Sequence, residues 1–354
     1  MTEIKTNRME WLDAMRGFTM ILVVAYHVAQ MSFGESEKTS ASLPFLVLFR
    51  MPLFFFVSGF LAYRVKFLWT ASSFGSLCLK KLKVQVIPAL VFLCVYIVLR
   101  TQTPFWDGFV AAMKSPTKDG YWFTWVLLQM FIIYYVFAAM SQRWMRNSHI
   151  PIVLLWAAAV FGYLSLYMPN TFGKWYKTDF MMQSSFYETL KFFHFFLIGN
   201  IAHRYWHQSQ KLFDTKWFFP VVVLLAFLSC ADIFQWHYLK FQWTNLPKTM
   251  AMYLLMITVL MFFRHYQQAF TQDRPFGKAL QFIGTRTLDV YLLHFILLPK
   301  LPQVGEWLNA NRPNFVVDIV LASSVALVVI AFCLLISSIL RMSPLLKEYL
   351  FGRK

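Results

Sequence analysis

Arg16 and His27 stand eleven residues apart in the apolar stretch WLDAMRGFTMILVVAYH, residues 11–27. At 100° per residue that separation is ~20° from three full turns, so both side chains leave a helix on one face, roughly 16 Å apart along its axis. A guanidinium at one end of such a stripe attracts an anion. An imidazole at the other, with an ordinary pKa near ~6.5, can take a proton from a hydroxyl at neutral pH. Read as an isolated pair, the same residues have a structural account, in which Arg16 snorkels beside Asp13 and His27 hydrogen-bonds a neighbouring helix.

Two further phrases put polar groups where apolar ones are expected. In RMPLFFFVSGF, residues 50–60, Arg50 precedes Pro52 and the Ser58-Gly59 pair. Pro52 frees a backbone carbonyl, Gly59 permits close helix contact, and Arg50 is too deep to snorkel, so it must face the bundle interior or a water-filled cavity. In IGTRTLDVYLLH, residues 283–294, Tyr291 and His294 are three apart on one helix face and Arg286 stands at the start of the helix. Asp289, five residues from His294, falls on another face. Lys80, Lys81 and Lys83 add a basic cluster, and His194 and Glu188 are two more polar residues in apolar surroundings.

The elements that position these residues follow from composition. Hydrophobic residues make up 58% of the 354, charged residues only 14%, and mean hydropathy is +0.52, so the main solvent is lipid. Apolar segments at 12–32, 43–64, 84–100, 121–140, 150–168, 187–204, 217–236, 249–264, 285–301 and 315–340 predict an all-α bundle of about ten transmembrane helices. They occupy nearly the whole of 1–354, which reads as a single membrane domain with no room for an appended soluble one. Asp13, Arg16 and His27 interrupt the first segment and no small-residue cleavage site follows it, so it reads as a helix and not a signal peptide. The four cysteines have no paired spacing, which predicts neither a disulfide framework nor a metal site.

The net charge of +17 has a topological explanation. Alternate connections carry 19 of the 33 lysines and arginines on one side, including five within 64–83, against 11 on the other. The positive-inside rule then predicts that both termini are cytoplasmic and offers no reason to expect nucleic acid as a partner. In this topology Arg16, Arg286, Lys81 and Lys83 lie toward the cytoplasm and His27, Arg50 and His294 further out. An anionic molecule entering from the basic side would bring its far end to the histidines.

These phrases resemble, in order, those of the acyltransferase-3 family of membrane acyltransferases. The opening is similar to that family's LDxLRG start with its Arg-x10-His spacing. RMPLFFFVSGF, KKLKVQVIPAL, WFTWVLLQMFIIYY, FFHFFLIGN and IGTRTLDVYLLH are similar to its later phrases, so the resemblance runs from about 15 to 294. The sequence departs from the pattern at Arg50, where the family often has histidine, and at Lys81 and Val84, which occupy the two slots of a frequent Arg-x-x-Arg.

The resemblance implies a ten-helix bundle in the bacterial cytoplasmic membrane. Such a protein moves an acyl group, usually acetyl, from cytoplasmic acyl-CoA to a hydroxyl of an exported or envelope carbohydrate. Acyl-CoA is a co-substrate in this scheme, with no tightly bound cofactor. The other expected partners are membrane lipid, a carbohydrate or glycolipid acceptor and envelope glycan-assembly proteins. His27 is then the candidate general base, with Arg50 and His294 as the other candidate catalytic groups. Arg16, Lys81, Lys83, Arg286 and Tyr291 are the candidate substrate-binding residues. Buried arginines and histidines in ten helices also describe a proton-coupled transporter of an anionic or glycan substrate, although no pair of related halves is visible.

Overall fold

The computed structural model describes residues 9–64, 69–166, 178–230, 245–311 and 314–351. Within them the secondary structure is helical, and no strand occurs among the described residues. The helices are α1 (Glu10–His27), α2 (Leu43–Ala62), α3 (Ala71–Lys81), α4 (Ile87–Arg100), α5 (Phe105–Lys114), α6 (Trp122–Asn147), α7 (Ile150–Ser165), α8 (Asp179–Gln183) and α9 (Phe186–Arg204). They continue with α10 (Trp206–Phe213), α11 (Phe218–Cys230), α12 (Asn245–His265), α13 (Pro275–Thr285), α14 (Thr287–Leu297), α15 (Pro302–Ala310), α16 (Phe315–Leu340) and α17 (Pro344–Phe351).

Among the described residues, five stretches are long and apolar enough to cross a membrane: 10–32, 43–62, 71–100, 122–144 and 315–340. The pair α10 and α11, bent by 81°, makes a sixth if it counts as one span. Against the expected total of about ten, α7 and α14 are shorter apolar helices, and α9 and α12 are long enough but are not among these stretches. The expected span 285–301 is only the eleven-residue α14, because the backbone leaves helical geometry at Arg286 (φ −115°, ψ 22°). The segment expected at 217–236 is followed only to Cys230, its remainder lying outside the described residues.

The connection expected at 64–83 also differs, since the chain is helical from Ala71 onward. Thr70 starts this helix with a capping box: its hydroxyl accepts from Ser73 N (3.2 Å) while the Ser73 hydroxyl accepts from Thr70 N (2.9 Å). The basic cluster therefore rides on a helix and not on a loop. Leu82–Val86 form a π-helical turn between α3 and α4. Pro88, which cannot donate to the carbonyl four residues before it, follows directly, and the wider turn accommodates that missing bond. A second π turn, Val28–Ser32, extends α1 just after His27.

Two compact units can be distinguished. One comprises 1–54, 210–290 and 298–334, the other 55–209, 291–297 and 335–354. In the first, α1 crosses α13 at glycine: a Cβ on Gly17 would overlap the Leu280 carbonyl, and one on Gly284 would overlap that of Asp13. Phe18 packs on Phe263 of α12, and α11 packs on α12. In the second unit the C-terminal half of α2 crosses α9 in the same way, Gly59 against the Phe196 carbonyl and Gly199 against that of Phe56. Small residues let backbones approach where apolar side chains gain nothing by leaving lipid.

These contacts are backbone to backbone, so an added side chain has nowhere to move. Gly17→Val should destabilise the protein by about 1–3 kcal/mol, whereas Gly75→Ala, which meets nothing within 4 Å, should change stability by less than about 0.5 kcal/mol. Thermal unfolding of both variants in detergent micelles tests the contrast.

Candidate active site

In the first unit, α1 carries Arg16 and His27 as the spacing requires. Arg16 is half-buried, with NH1 donating to Asp13 Oδ1 (3.1 Å) one turn earlier and NH2 to the Thr287 hydroxyl (3.2 Å) in the first turn of α14. Thr287 directly follows Arg286, the residue at the break between α13 and α14, so Arg16 and Arg286 come to the same level. The Arg286 guanidinium lies over the Phe282 ring, 4.4 Å from its centroid. Asp289 is buried one half-turn further along α14.

Arg50, 9% exposed, lies with its guanidinium carbon 3.6 Å from the ring centroid of Tyr26. Tyr26 in turn meets the His27 imidazole edge to face, centroids 5.3 Å apart. Arg50, Tyr26 and His27 thus form one cluster at the C-terminal end of α1. An aromatic face partly replaces the water that the buried guanidinium has lost. Tyr26 was not among the residues singled out from sequence. Its signal was its place beside His27, but nothing local indicated which way the ring would turn.

In the second unit, Tyr291 and His294 occupy adjacent turns of α14. His294 is fully buried, and its Nδ1 lies 2.9 Å from the Tyr291 carbonyl oxygen. A carbonyl only accepts, so Nδ1 carries the proton in the neutral ring and Nε2 is the basic nitrogen. The Tyr291 hydroxyl donates to the Gly120 carbonyl (3.0 Å) and accepts from Phe123 N (3.2 Å). Tyr121 donates to the Leu292 carbonyl (3.0 Å). Two phenols therefore pin the turn before α6 to the helix that bears His294, and the Phe295 ring fills the space over Gly120.

Lys118 anchors the far side of that turn. Only 2% exposed, its ammonium donates to the carbonyls of Met113 (2.9 Å), Ser115 (3.4 Å) and Gln183 (2.8 Å), and burial holds its pKa below the ordinary lysine range. Lys118 and Asp119 both have positive φ, 44° and 50°, leading into Gly120 at 101°. Trp125 and Gln129 of α6 donate to Ser184 O at 3.1 and 2.7 Å, tying the same junction to the segment before α9. From sequence, Lys118 reads as an ordinary loop cation.

Of the basic cluster, Lys81 sits with its ammonium 3.7 Å from the Phe131 ring centroid, while Lys80 and Lys83 are exposed. His194 is fully buried among Phe195 and Tyr163. His203 stacks on Phe60 (4.3 Å, 8°), and its Nδ1 lies 2.6 Å from the Phe60 carbonyl oxygen, a position that ties α9 to α2. Glu188 pairs with Lys191 at 3.6 Å.

An all-helical, multi-pass membrane protein is thereby defined, with cations and histidines held on apolar helices by aromatic rings, backbone carbonyls and hydroxyls. The chain belongs to the acyltransferase-3 family: the family's profile, described as an acyltransferase domain, matches residues 9–340. It is accordingly a membrane acyltransferase by family. No curated protein and no solved structure matches the chain.

The phenol bridge offers a direct test of what holds α14. Tyr291→Phe removes the hydroxyl's hydrogen bonds while keeping the ring, and should cost about 1–3 kcal/mol of stability, read as a lowered melting temperature in detergent.

Proposed function

We propose that this protein is an O-acyltransferase of the bacterial cytoplasmic membrane. It takes an acyl group, most simply acetyl, from cytoplasmic acyl-CoA and transfers it to a hydroxyl of an exported or envelope carbohydrate. The observation that carries the reading is the cluster at the end of α1, where Arg50 over Tyr26 stands beside the half-buried His27. Arg16 lies on the same helical face, further toward the N-terminus.

In this reading both termini are cytoplasmic. The polyanionic end of acyl-CoA is met by Arg16 and Arg286, and its thioester extends toward His27. Lysine supplies a point charge and not the bidentate fork of arginine, so the contribution of Lys81 and Lys83 is attraction more than orientation. His27 takes the proton of the acceptor hydroxyl as that oxygen attacks the thioester carbonyl. The carbonyl oxygen becomes an oxyanion stabilised by a cationic donor, for which Arg50 is the candidate. The intermediate collapses by expelling CoA thiolate, which takes up the proton. No tightly bound cofactor enters this scheme.

Wild type and His27→Ala, brought to equal levels in membranes, should differ sharply in free CoA released from acetyl-CoA in the presence of a membrane glycan fraction. Wild type releases CoA, and the variant falls to background. Equal release by both would remove His27 from the chemical step. Release by neither, with transport of an anionic solute instead, would favour the transporter. Lys81→Ala and Lys83→Ala should raise KM for acyl-CoA several-fold with kcat nearly unchanged, since they remove uniform binding.

A further inference from the structure

Eight residues beyond His27 the chain buries a carboxylic acid that the proposed chemistry does not use. The π turn after α1 closes at Gly34 (φ +76°), with Phe33 N donating to Val28 O and Glu35 N to Ala29 O, both 3.0 Å. This end of the helix is packed from a second direction: Leu301 N donates to Ser32 O (2.9 Å), and Gly305 of α15 abuts the Phe33 carbonyl. Glu35 is 3% exposed, and Asp318, in the first turn of α16, is fully buried.

Asp318 is well supplied with donors. Its Oδ2 accepts from the Ser40 hydroxyl (2.5 Å) and from Ser42 N (2.9 Å). Ser40 also caps the start of α2, accepting from Leu43 N at 3.2 Å. The N-termini of α2 and α16 both favour negative charge here. Its Oδ1 and both Glu35 oxygens, by contrast, meet no donor atom, although Glu35 lies within reach of Asp318 and Ser40. Two ionised carboxylates can only accept. One proton on Glu35 turns that contact into a hydrogen bond to Asp318.

We propose that Glu35 and Asp318 share one proton and act together as positioning residues, holding the C-terminal end of the His27 helix against the first turns of α2 and α16. The proton belongs to the knot where three helix ends meet. Loss of that proton places two like charges in contact inside the fold and loosens the His27 end of α1.

Burial, then the Asp318 charge, raises the Glu35 pKa from 4.5 to about 7, partly offset by the nearby Ser40 hydroxyl. Glu37 and Lys38 in the same loop, and Lys300 and Glu306 beside the Leu301 and Gly305 contacts, are exposed to solvent. Arg312 lies outside the described residues. A carboxyl whose folded pKa is raised contributes stability that is complete below its unfolded value, here about 4.5, and is lost as pH rises through about 7.

The test is thermal unfolding of the full chain in detergent micelles between pH 5 and pH 8.5, with and without added calcium. Wild type should lose melting temperature across this window. Glu35→Gln, which keeps a donor toward Asp318 and cannot ionise, should be nearly flat and exceed wild type at pH 8.5. Glu35→Ala should lie below wild type at pH 5. Parallel pH profiles for wild type and Glu35→Gln would overturn the proposal. So would a calcium-dependent rise at pH 8.5 that Glu35→Gln abolishes, which would mark a cation site instead.

The consequence for catalysis rests on the acyl-transfer reading. CoA release by wild type should have a falling limb above neutral pH that Glu35→Gln removes, while the rising limb set by His27 stays. Because unfolding is measured without substrate, its outcome stands whether or not CoA is released.

Discussion

A charge at the centre of a membrane helix costs roughly 2.5 to 3.5 kcal/mol even on the lenient insertion scale, and that cost governs where this protein keeps its polar side chains. Four of the cations are each drawn onto a particular neighbour. Arg16 is held by Asp13 and Thr287, Arg50 by the face of Tyr26, Arg286 by Phe282 and Lys81 by Phe131. The frequent use of aromatic faces accords with a sequence holding 39 phenylalanines and few acids. A carboxylate partner cancels a cation's charge, whereas a ring stabilises a cation and leaves its sign unchanged.

The same constraint acts on the backbone. Helix interruptions occur where function is expected, and each is satisfied locally. The π turn at 28–32 follows His27, the π turn at 82–86 carries Lys83, and the break at Arg286 separates α13 from the helix bearing Tyr291 and His294. Around the strained turn at 118–120, three carbonyls converge on Lys118 and two phenols complete the junction with α14. Non-helical backbone is tolerated in such a protein only when its hydrogen bonds are met by protein groups.

Acids are handled differently from bases. Glu35 and Asp318 are buried at helix ends, where a backbone N–H and a capping serine supply Asp318 with hydrogen bonds that no aromatic ring offers a carboxylate. That placement gives the end of α1 a sensitivity to pH distinct from that of His27 itself. Asp214 shows the solvated counterpart: largely exposed, it accepts from Arg264 at 2.9 Å, and that hydrogen bond holds its pKa below the ordinary value.

Much of this was legible in the linear chain. Composition established lipid as the solvent, the eleven-residue spacing put Arg16 and His27 on one face, and the ordered phrases indicated the family that the match over 9–340 then established. Helix periodicity and hydropathy are local properties, so α1, α2, α6 and α16 stand close to their expected bounds. Other features depend on residues distant in the chain. Tyr26 under Arg50, Thr287 beside Arg16 and Tyr291 across to Gly120 involve separations from 24 to 271 residues. Glu35 and Asp318 were invisible as a pair because each, taken alone, reads as a solvated acid near a helix end. Only the packing of the ends of α1, α2 and α16 removes water from both and makes them share a site. Sequence determined which residues must avoid lipid, through the free energy of transfer. Tertiary structure decided which partner each would find, because hydrogen bonds and ring contacts require atoms within a few ångströms, and distance along the chain does not specify that proximity.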